Sequence, residues 1–298
     1  MAQKIVGVAG LGSMGSGMAR SLIRAGYTVQ GVDANPARVA ALAESGVFAT
    51  ASPAEAARSA GAFLISVVDA AQTQAVLFGP GGAAEELNDG AVVIATSTVP
   101  PPYIEALQAQ LREHQLLLVD APVSGGTAKA ASGELSIMAS GEPSAFEAAA
   151  GVLDAIASKV YRLGDRAGIG SRMKSVNQLL AGVHIAAACE AITYAIRIGV
   201  DPAAAYDVIT HSAGNSWMFE NRIPHVLEND YAPHSAINIF VKDLGIVLDG
   251  GRAERFPLPL TAAAHQLFLA AAGMGFAGDD DASIARVFAA LGGLQLPQ

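Results

Sequence analysis

Residues 4–33 constrain this chain more than any other stretch. An apolar strand, KIVGVAG, runs into Gly10-Leu11-Gly12-Ser13-Met14-Gly15, a helical segment SGMARSLIRAG follows, and a second strand, YTVQGVD, ends in an acid. Gly10 permits a tight turn out of the strand, Gly12 lets backbone approach a pyrophosphate, and Gly15 lets the helix pack against the sheet. A pyrophosphate then meets unpaired N–H groups at the positive end of the helix dipole. Leu11, Ser13 and Met14 complete the turn that would line it. Asp33 follows at the spacing expected of the acid that accepts from the adenosine ribose hydroxyls. Its charge repels a 2′-phosphate, which favours NAD over NADP. Arg38, the nearby cation that could meet such a phosphate, reads as a solvated helix residue.

The length of 298 residues suggests two domains. Up to about residue 164, strands alternate with helical segments: after the nucleotide unit come 62–68, 91–98, 116–123 and 135–140. Short apolar strands alternating with helices predict a doubly wound, mostly parallel α/β sheet, a Rossmann fold, over residues 1–164. Beyond residue 168 strand signals vanish, and Ala/Leu/Ile-rich helices predict an all-helical domain over 165–298 for substrate binding and oligomerisation. Its breaks are expected at Gly199-Val200-Asp201-Pro202, near Pro224, around 231–234 and at 256–259. The first helix, about 170–198, is apolar on most sides and is expected to be buried between domains or subunits. Ser52-Pro53-Ala54-Glu55 and Asp201-Pro202 read as helix starts, and the three aspartates at 279–281 as a solvated one.

Charge and composition remove several functions. A formal charge of −9 argues against nucleic acid as a partner. No apolar run is read as long enough for a membrane span, and residues 1–20 lack the plan of a signal peptide, so a cytoplasmic protein is expected. Cys189 is the single cysteine, in AAACEAI, and reads as a small core residue. The six histidines match no metal-ligand spacing, and GxSxG is absent.

Chemistry concentrates in a few segments. Gly164-Asp165-Arg166-Ala167-Gly168-Ile169-Gly170 leads to Lys174 near the start of the long helix, with Asn177 and Gln178 at spacings of three and four on one helical face. Ligands of such sheets bind beyond the carboxyl ends of the strands, and a lysine there can lose enough solvent for its pKa to fall, making it a proton donor or acceptor. Lys242 heads another apolar helix; it either holds a carboxylate or the nicotinamide side, or pairs with a nearby acid at the surface. Asp120-Ala121-Pro122-Val123-Ser124-Gly125-Gly126 ends a strand in a glycine turn suited to a substrate carboxylate. Thr96-Ser97-Thr98 closes a strand at the same edge, where its hydroxyls can meet the nicotinamide ribose or the substrate.

Together these segments resemble the β-hydroxyacid dehydrogenase family, which includes 3-hydroxyisobutyrate dehydrogenase and is related to 6-phosphogluconate dehydrogenase. GLGSMGSGMA is similar to the family's cofactor signature, DAPVSGG to its substrate loop, GIGSRMKSVNQ to its catalytic helix and KDLGIVLD to its late lysine segment. The stretch HSAGNSWMFENR at 211–222 resembles the family's L-threonate dehydrogenase branch, which oxidises a four-carbon sugar acid at C2. The resemblance implies Lys174 as catalytic acid/base, Asn177 as its helper on the reacting hydroxyl, and Ser124, Gly125 and Gly126 as carboxylate binders. It implies Val67, Val68 and Thr98 on the nicotinamide side, with Lys242 contacting cofactor or substrate. Ser212 and Asn215 are assigned to a polyol tail from chemistry alone. Arg172-Met173 departs from the small or apolar residue usual before the lysine, so Arg172 either faces outward or adds a cation to the site.

The expectation is an NAD-dependent dehydrogenase of a small anionic hydroxy acid, L-threonate foremost, acting as a homodimer or homotetramer. The alternatives are a tartronate or succinate semialdehyde reductase, a 3-hydroxyisobutyrate-type enzyme and, remotely, a non-catalytic dinucleotide-binding module. Imine reductases share the architecture but usually lack this lysine.

Overall fold

The computed structural model describes residues 4–298. The described chain divides into two compact units, residues 4–174 and 175–298.

The first unit opens with β1 (Ile5–Ala9), α1 (Ser13–Arg24), β2 (Thr28–Val32), α2 (Pro36–Ala43) and β3 (Val47–Ala49). It continues with α3 (Pro53–Ala57), β4 (Ala62–Ile65), α4 (Ala70–Phe78), β5 (Val92–Ala95), α5 (Pro101–Glu113) and β6 (Leu117–Asp120). Then come β7 (Val123–Ser124), α6 (Gly126–Ser132), β8 (Leu135–Gly141), α7 (Pro143–Ile156) and β9 (Ala157–Gly164). Strands run in the order β3-β2-β1-β4-β5-β6-β8-β7, with β9 on β8. The first six are mutually parallel; β8 is antiparallel to β6 and β7. The order reverses direction between β1 and β4, the switch point where ligands of such sheets bind.

Alternation along the strands builds two cores. Leu64, Val92 and Ile94 pack with Met18 and Leu22 of α1 and Phe146 and Leu153 of α7, whereas Phe63, Ile65 and Val93 pack with Leu77 of α4 and Ile104, Leu107 and Leu111 of α5. Successive side chains point to opposite faces of a strand, so a continuous apolar run feeds both layers. The Ser52 start is an N-cap, with Ser52 Oγ accepting from Glu55 N–H at 3.2 Å, and Glu55 reaches back one residue further to accept from Ala51 N–H at 2.8 Å.

The segment 116–123 is not one strand. It ends at Asp120, and after Pro122, which has no N–H to donate, the chain re-enters the sheet as β7. β9, a mostly exposed strand paired only with β8, carries no apolar alternation that would mark it in the sequence.

Helix α8 (Ile169–Arg197) crosses from the first unit into the second, which continues with α9 (Pro202–Thr210), α10 (Trp217–Leu227), α11 (Ile237–Ala253), α12 (Pro259–Ala271) and α13 (Ile284–Gly292). The division after Lys174 falls ten residues beyond the boundary expected at 164, because the first turn of α8 is tied by hydrogen bonds to the sheet unit. By length and composition α8 could cross a membrane, contrary to the expectation that no stretch would qualify. Its Ile185, Cys189 and Ile192 instead form the core of the second unit with Ile223, Phe240, Leu244 and Phe268. Burial pushes the Cys189 thiol up, as suits a core residue.

Two expectations for the helical unit are corrected. Pro224 does not break the chain but lies inside α10. The carbonyl its missing N–H leaves behind, that of Glu220, accepts instead from Tyr206 Oη at 3.1 Å. The aspartates at 279–281 start a helix, but Asp280 and Asp281 are wholly buried rather than solvated. Asp281 receives Arg222 Nε at 2.5 Å and Nη2 at 3.2 Å, and His225 Nδ1 lies 2.9 Å from Asp280 Oδ1.

This cluster gives the helical unit a pH dependence. The hydrogen bond to Asp280 raises the His225 pKa against the opposing effect of burial. Burial pushes the Asp281 carboxyl up to about 6 against the Arg222 charge. Burial also raises Asp280, but bonds from His225, Ala282 and His234 outweigh it and hold this carboxyl below the usual range. A group whose pKa is raised by folding stabilises below its unfolded value and loses that contribution as pH rises through the folded one. Asp281 thus loses its share between about 4 and 6, and His225 its share above its ordinary 6.5. Asp280 works the other way, losing its share as pH falls below 3.8. The melting temperature is therefore expected to fall from pH 6 to 8, and His225→Gln to flatten the portion above 6.5, as read by calorimetry across that range.

Candidate active site

The carboxyl ends of β1, β4, β5 and β6 lie on one edge of the sheet because these strands are parallel. Four loops therefore gather there.

The first is the turn 10–15. Gly10 has φ +87°, and a Cβ on it would sit 2.4 Å from Ser66 O. A Cβ on Gly15 would lie 1.8 Å from Gly10 O, so both glycines are required by the protein's own packing. Gly12 differs: the nearest atom to a Cβ there is Arg38 Nη1, at 3.9 Å. The open side at Gly12 is a place where another molecule can touch backbone. Gly12 is also the N-cap of α1, with no side-chain cap among the described residues, which leaves the helix's first N–H groups available to an anion. These features fit a dinucleotide pyrophosphate. Leu11 is buried in the turn, Ser13 is exposed and Met14 is half-buried on α1.

Asp33 closes the turn. Its Oδ2 accepts from Leu11 N–H at 2.7 Å and its Oδ1 from Asn35 N–H at 2.8 Å, with Arg38 Nη1 3.6 Å from Oδ1. A carboxylate has about four acceptor positions, so ribose hydroxyls can still be accommodated. Arg38 is thus an ion-pair partner of Asp33 and not simply a solvated residue.

The loops after β4 and β5 are clamped together. Thr96 Oγ1 donates to Ile65 O at 2.9 Å and Ser97 Oγ to Val67 O at 2.7 Å, so two of the three hydroxyls of Thr96-Ser97-Thr98 serve the strand ends. Thr98 is half-buried beside them, Val68 is exposed, and Val67 Cγ1 would lie 3.0 Å from a Cβ on Gly10.

The fourth connection leaves β6 and passes through the short β7, whose Ser124 is half-buried, to Gly125 and Gly126, with φ +134° and +76°, where α6 starts. Helix α6 is bound to α1: Ser21 Oγ donates to Ala130 O at 3.0 Å, and Arg24 Nη2 to Ala131 O at 2.6 Å. Hydrogen bonds therefore join the helix after the glycine turn to the helix after the 10–15 turn.

Lys174 joins this edge. It is 8% exposed, and its Nζ donates to Val123 O at 2.8 Å, next to Ser124. The amine is thus shielded from solvent beside the Ser124-Gly125-Gly126 turn. Arg172 faces outward, onto Glu105 of α5 at 2.6 Å, and adds no cation here.

The other expected residues are in the helical unit. Asn177 Nδ2 donates to Gln178 Oε1 at 3.0 Å, Gln178 Nε2 to Asp243 Oδ2 at 2.5 Å, and Lys242 Nζ to Asp243 Oδ1 at 2.6 Å. This network links α8 to α11 through a buried carboxylate, so Lys242 pairs with an acid, but a buried one. Ser212 Oγ donates to Val208 O at 2.6 Å, a bond back to its own helix end, and Asn215 Nδ2 reaches Thr210 O and Glu220 Oε1. Sequence reasoning missed Ser140 and the role of Asp120, whose carboxylate accepts from Ser140, Gly168 and Ser171.

Residues 5–164 match the family model of the NAD-binding domain of 6-phosphogluconate dehydrogenase, and residues 168–288 that of the NAD-binding region of NADP-dependent 3-hydroxyisobutyrate dehydrogenase. The chain belongs to the β-hydroxyacid dehydrogenase family. This dehydrogenase is 56% identical over 98% of its length to L-threonate dehydrogenase of Cupriavidus necator, covering 97% of that protein. It is 47% identical to L-threonate dehydrogenase of Escherichia coli K12, over 98% of this chain and 96% of the other. A crystal structure from Salmonella typhimurium described as 3-hydroxyisobutyrate dehydrogenase superposes with a TM-score of 0.92 at 48% identity, covering 96% of the dehydrogenase and all of that chain. The enzyme binds NAD(P), as its turn geometry fits.

Proposed function

We propose that this enzyme oxidises L-threonate at C2 to the 2-oxo acid, with Lys174 as the proton acceptor. NAD, when bound, supplies the hydride acceptor. Lys174 takes the hydroxyl proton of the substrate, the Ser124-Gly125-Gly126 turn holds its carboxylate, and Asn177 orients the reacting alcohol. Val67, Val68 and Thr98 line the nicotinamide side, and Lys242 adds positive charge toward cofactor or substrate. Ser212 and Asn215 are assigned to the polyol end. The observation that carries this reading is the shielded Lys174 amine beside Ser124. The choice of L-threonate is supported by the names of the relatives at 47% and 56% identity.

Oxidation of 3-hydroxyisobutyrate is the second reading, favoured by the description of the Salmonella structure. Initial rates with NAD and a panel of C3 to C6 hydroxy acids, read by NADH absorbance, separate the two. L-threonate is expected to give the highest kcat/KM; a higher value for 3-hydroxyisobutyrate, or activity only as a semialdehyde reductase, overturns the assignment. We also read the enzyme as cytoplasmic and as a homodimer or homotetramer, consistent with the exposed Val176, Leu180, Tyr194 and Ile198 along α8.

NAD is preferred over NADP in this reading because the Asp33 carboxylate opposes a 2′-phosphate. Asp33→Asn keeps an oxygen for the Leu11 N–H but removes the charge, and it frees Arg38 from its ion pair. The kcat/KM ratio of NAD to NADP is expected to fall by about 10- to 100-fold, each tenfold being about 1.4 kcal/mol. Steady-state kinetics with both cofactors checks it.

A further inference from the structure

We propose that Asp120 is a positioning residue that sets Lys174 in place by holding the first turn of α8 to the end of β6. The proposal rests on the role of Lys174 given above.

The geometry is a pair of ties between two short segments. Asp120 Oδ2 accepts from Gly168 N–H and Ser171 N–H, both at 2.9 Å, and from Ser140 Oγ at 3.1 Å, while Oδ1 accepts from Ser171 Oγ at 2.7 Å. Three residues along each segment comes the second tie, Lys174 Nζ to Val123 O. Residues three apart on a helix lie on one face, so the register that binds Ser171 to Asp120 also brings Lys174 to Val123. Ser140 completes the anchor by accepting from Gly170 N–H at 2.9 Å.

A helix start leaves its first N–H groups without partners, and an acid there is also favoured by the dipole. Here the acid comes from a strand some fifty residues earlier rather than from the helix's own N-cap. A carboxylate with no exposed surface is costly unless hydrogen-bonded, and these four donors meet that need. Burial pushes the Asp120 carboxyl up while the bonds from Ser171, Gly168 and Ser140 draw it down. The glycines before Lys174 have the same origin. Gly168 has φ +100°, and a Cβ on Gly170 would lie 2.3 Å from Met138 O and 3.0 Å from Asp120 O, so the helix can dock this closely only without side chains there.

Two readouts test the proposal. Acetic anhydride labelling of the full-length protein, followed by peptide mass spectrometry, reports the accessibility of the Lys174 amine without any substrate. Labelling at Lys174 is expected to rise at least about tenfold in Asp120→Ala and Gly170→Ala, and to stay near wild type in Asp120→Asn. The asparagine can still accept both backbone N–H groups and donate to the Ser171 hydroxyl. Unchanged labelling in Asp120→Ala overturns the proposal.

The second readout is a double-mutant cycle on kcat. Asp120→Ala is expected to lower kcat about 100-fold, as a misplacement of about 1 Å can. In a Lys174→Ala background it is expected to change kcat less than about twofold, because its effect passes through the missing amine. Multiplying losses would mark a general structural role and overturn the proposal. Should Asp120→Ala fail to bind NADH, Gly170→Ala carries both readouts, since it keeps every hydrogen-bonding group. A Lys174→Ala variant that turns over normally would sink the role of Lys174 instead, and the labelling result would stand apart from it.

Discussion

Replacing Lys174 with alanine is expected to lower kcat for the hydroxy acid by about 10²- to 10⁴-fold, the range a positioned general base supplies. NAD affinity is expected to stay within about twofold. The two effects separate because the nucleotide features belong to other parts of the unit: the Gly12 turn, the start of α1, which has no side-chain cap among the described residues, and Asp33 on Leu11. Only the proton step uses the amine held at Val123 O. Lys174→Arg is expected to lose as much as alanine, since a guanidinium stays protonated and cannot accept a proton. Stopped-flow turnover and NADH fluorescence titration measure the two quantities. Normal turnover by the alanine variant would remove the proposed base.

The nucleotide-binding unit was legible in the sequence because each of its constraints is local. Gly10 and Gly15 are fixed by a turn in which a Cβ would strike backbone within six residues in sequence or the neighbouring strand end, and Asp33 closes that turn from the end of the next strand. Lys174 stands out in the sequence for a similar reason, one turn after a glycine-rich helix start, and the structure sets its amine against Val123 O. In the sequence Asp120 reads only as part of a substrate loop. Its partners Gly168 and Ser171 lie 48 and 51 residues away, and no spacing rule connects a strand end to a helix that far on. Thr96 and Ser97 looked like ligand-facing hydroxyls because they end a strand, and only the neighbouring strand's carbonyls reveal their structural use. The burial of Asp280 and Asp281 is hidden for the opposite reason: a run of like charges usually faces water, and nothing in the run itself shows that Arg222 and His225 are brought against it.

That cluster carries the largest expected effect on stability. Arg222→Met is expected to cost about 3–5 kcal/mol, the range for removing one partner of a buried ion pair. The loss exceeds that of the contact itself because Asp281 remains, fully enclosed, beside the equally enclosed Asp280. Two carboxylates then share a site whose guanidinium is gone, and burial, which already raises Asp281, acts with less opposition. Adding Asp281→Leu to Arg222→Met removes the stranded acid and is expected to recover most of the loss, because apolar replacement of both members of a buried pair is often neutral. Urea unfolding of the two variants and the wild type measures the difference. If the single variant lies within about 1 kcal/mol of wild type, the typical value for a point change, the pair does not hold α10 to the start of α13.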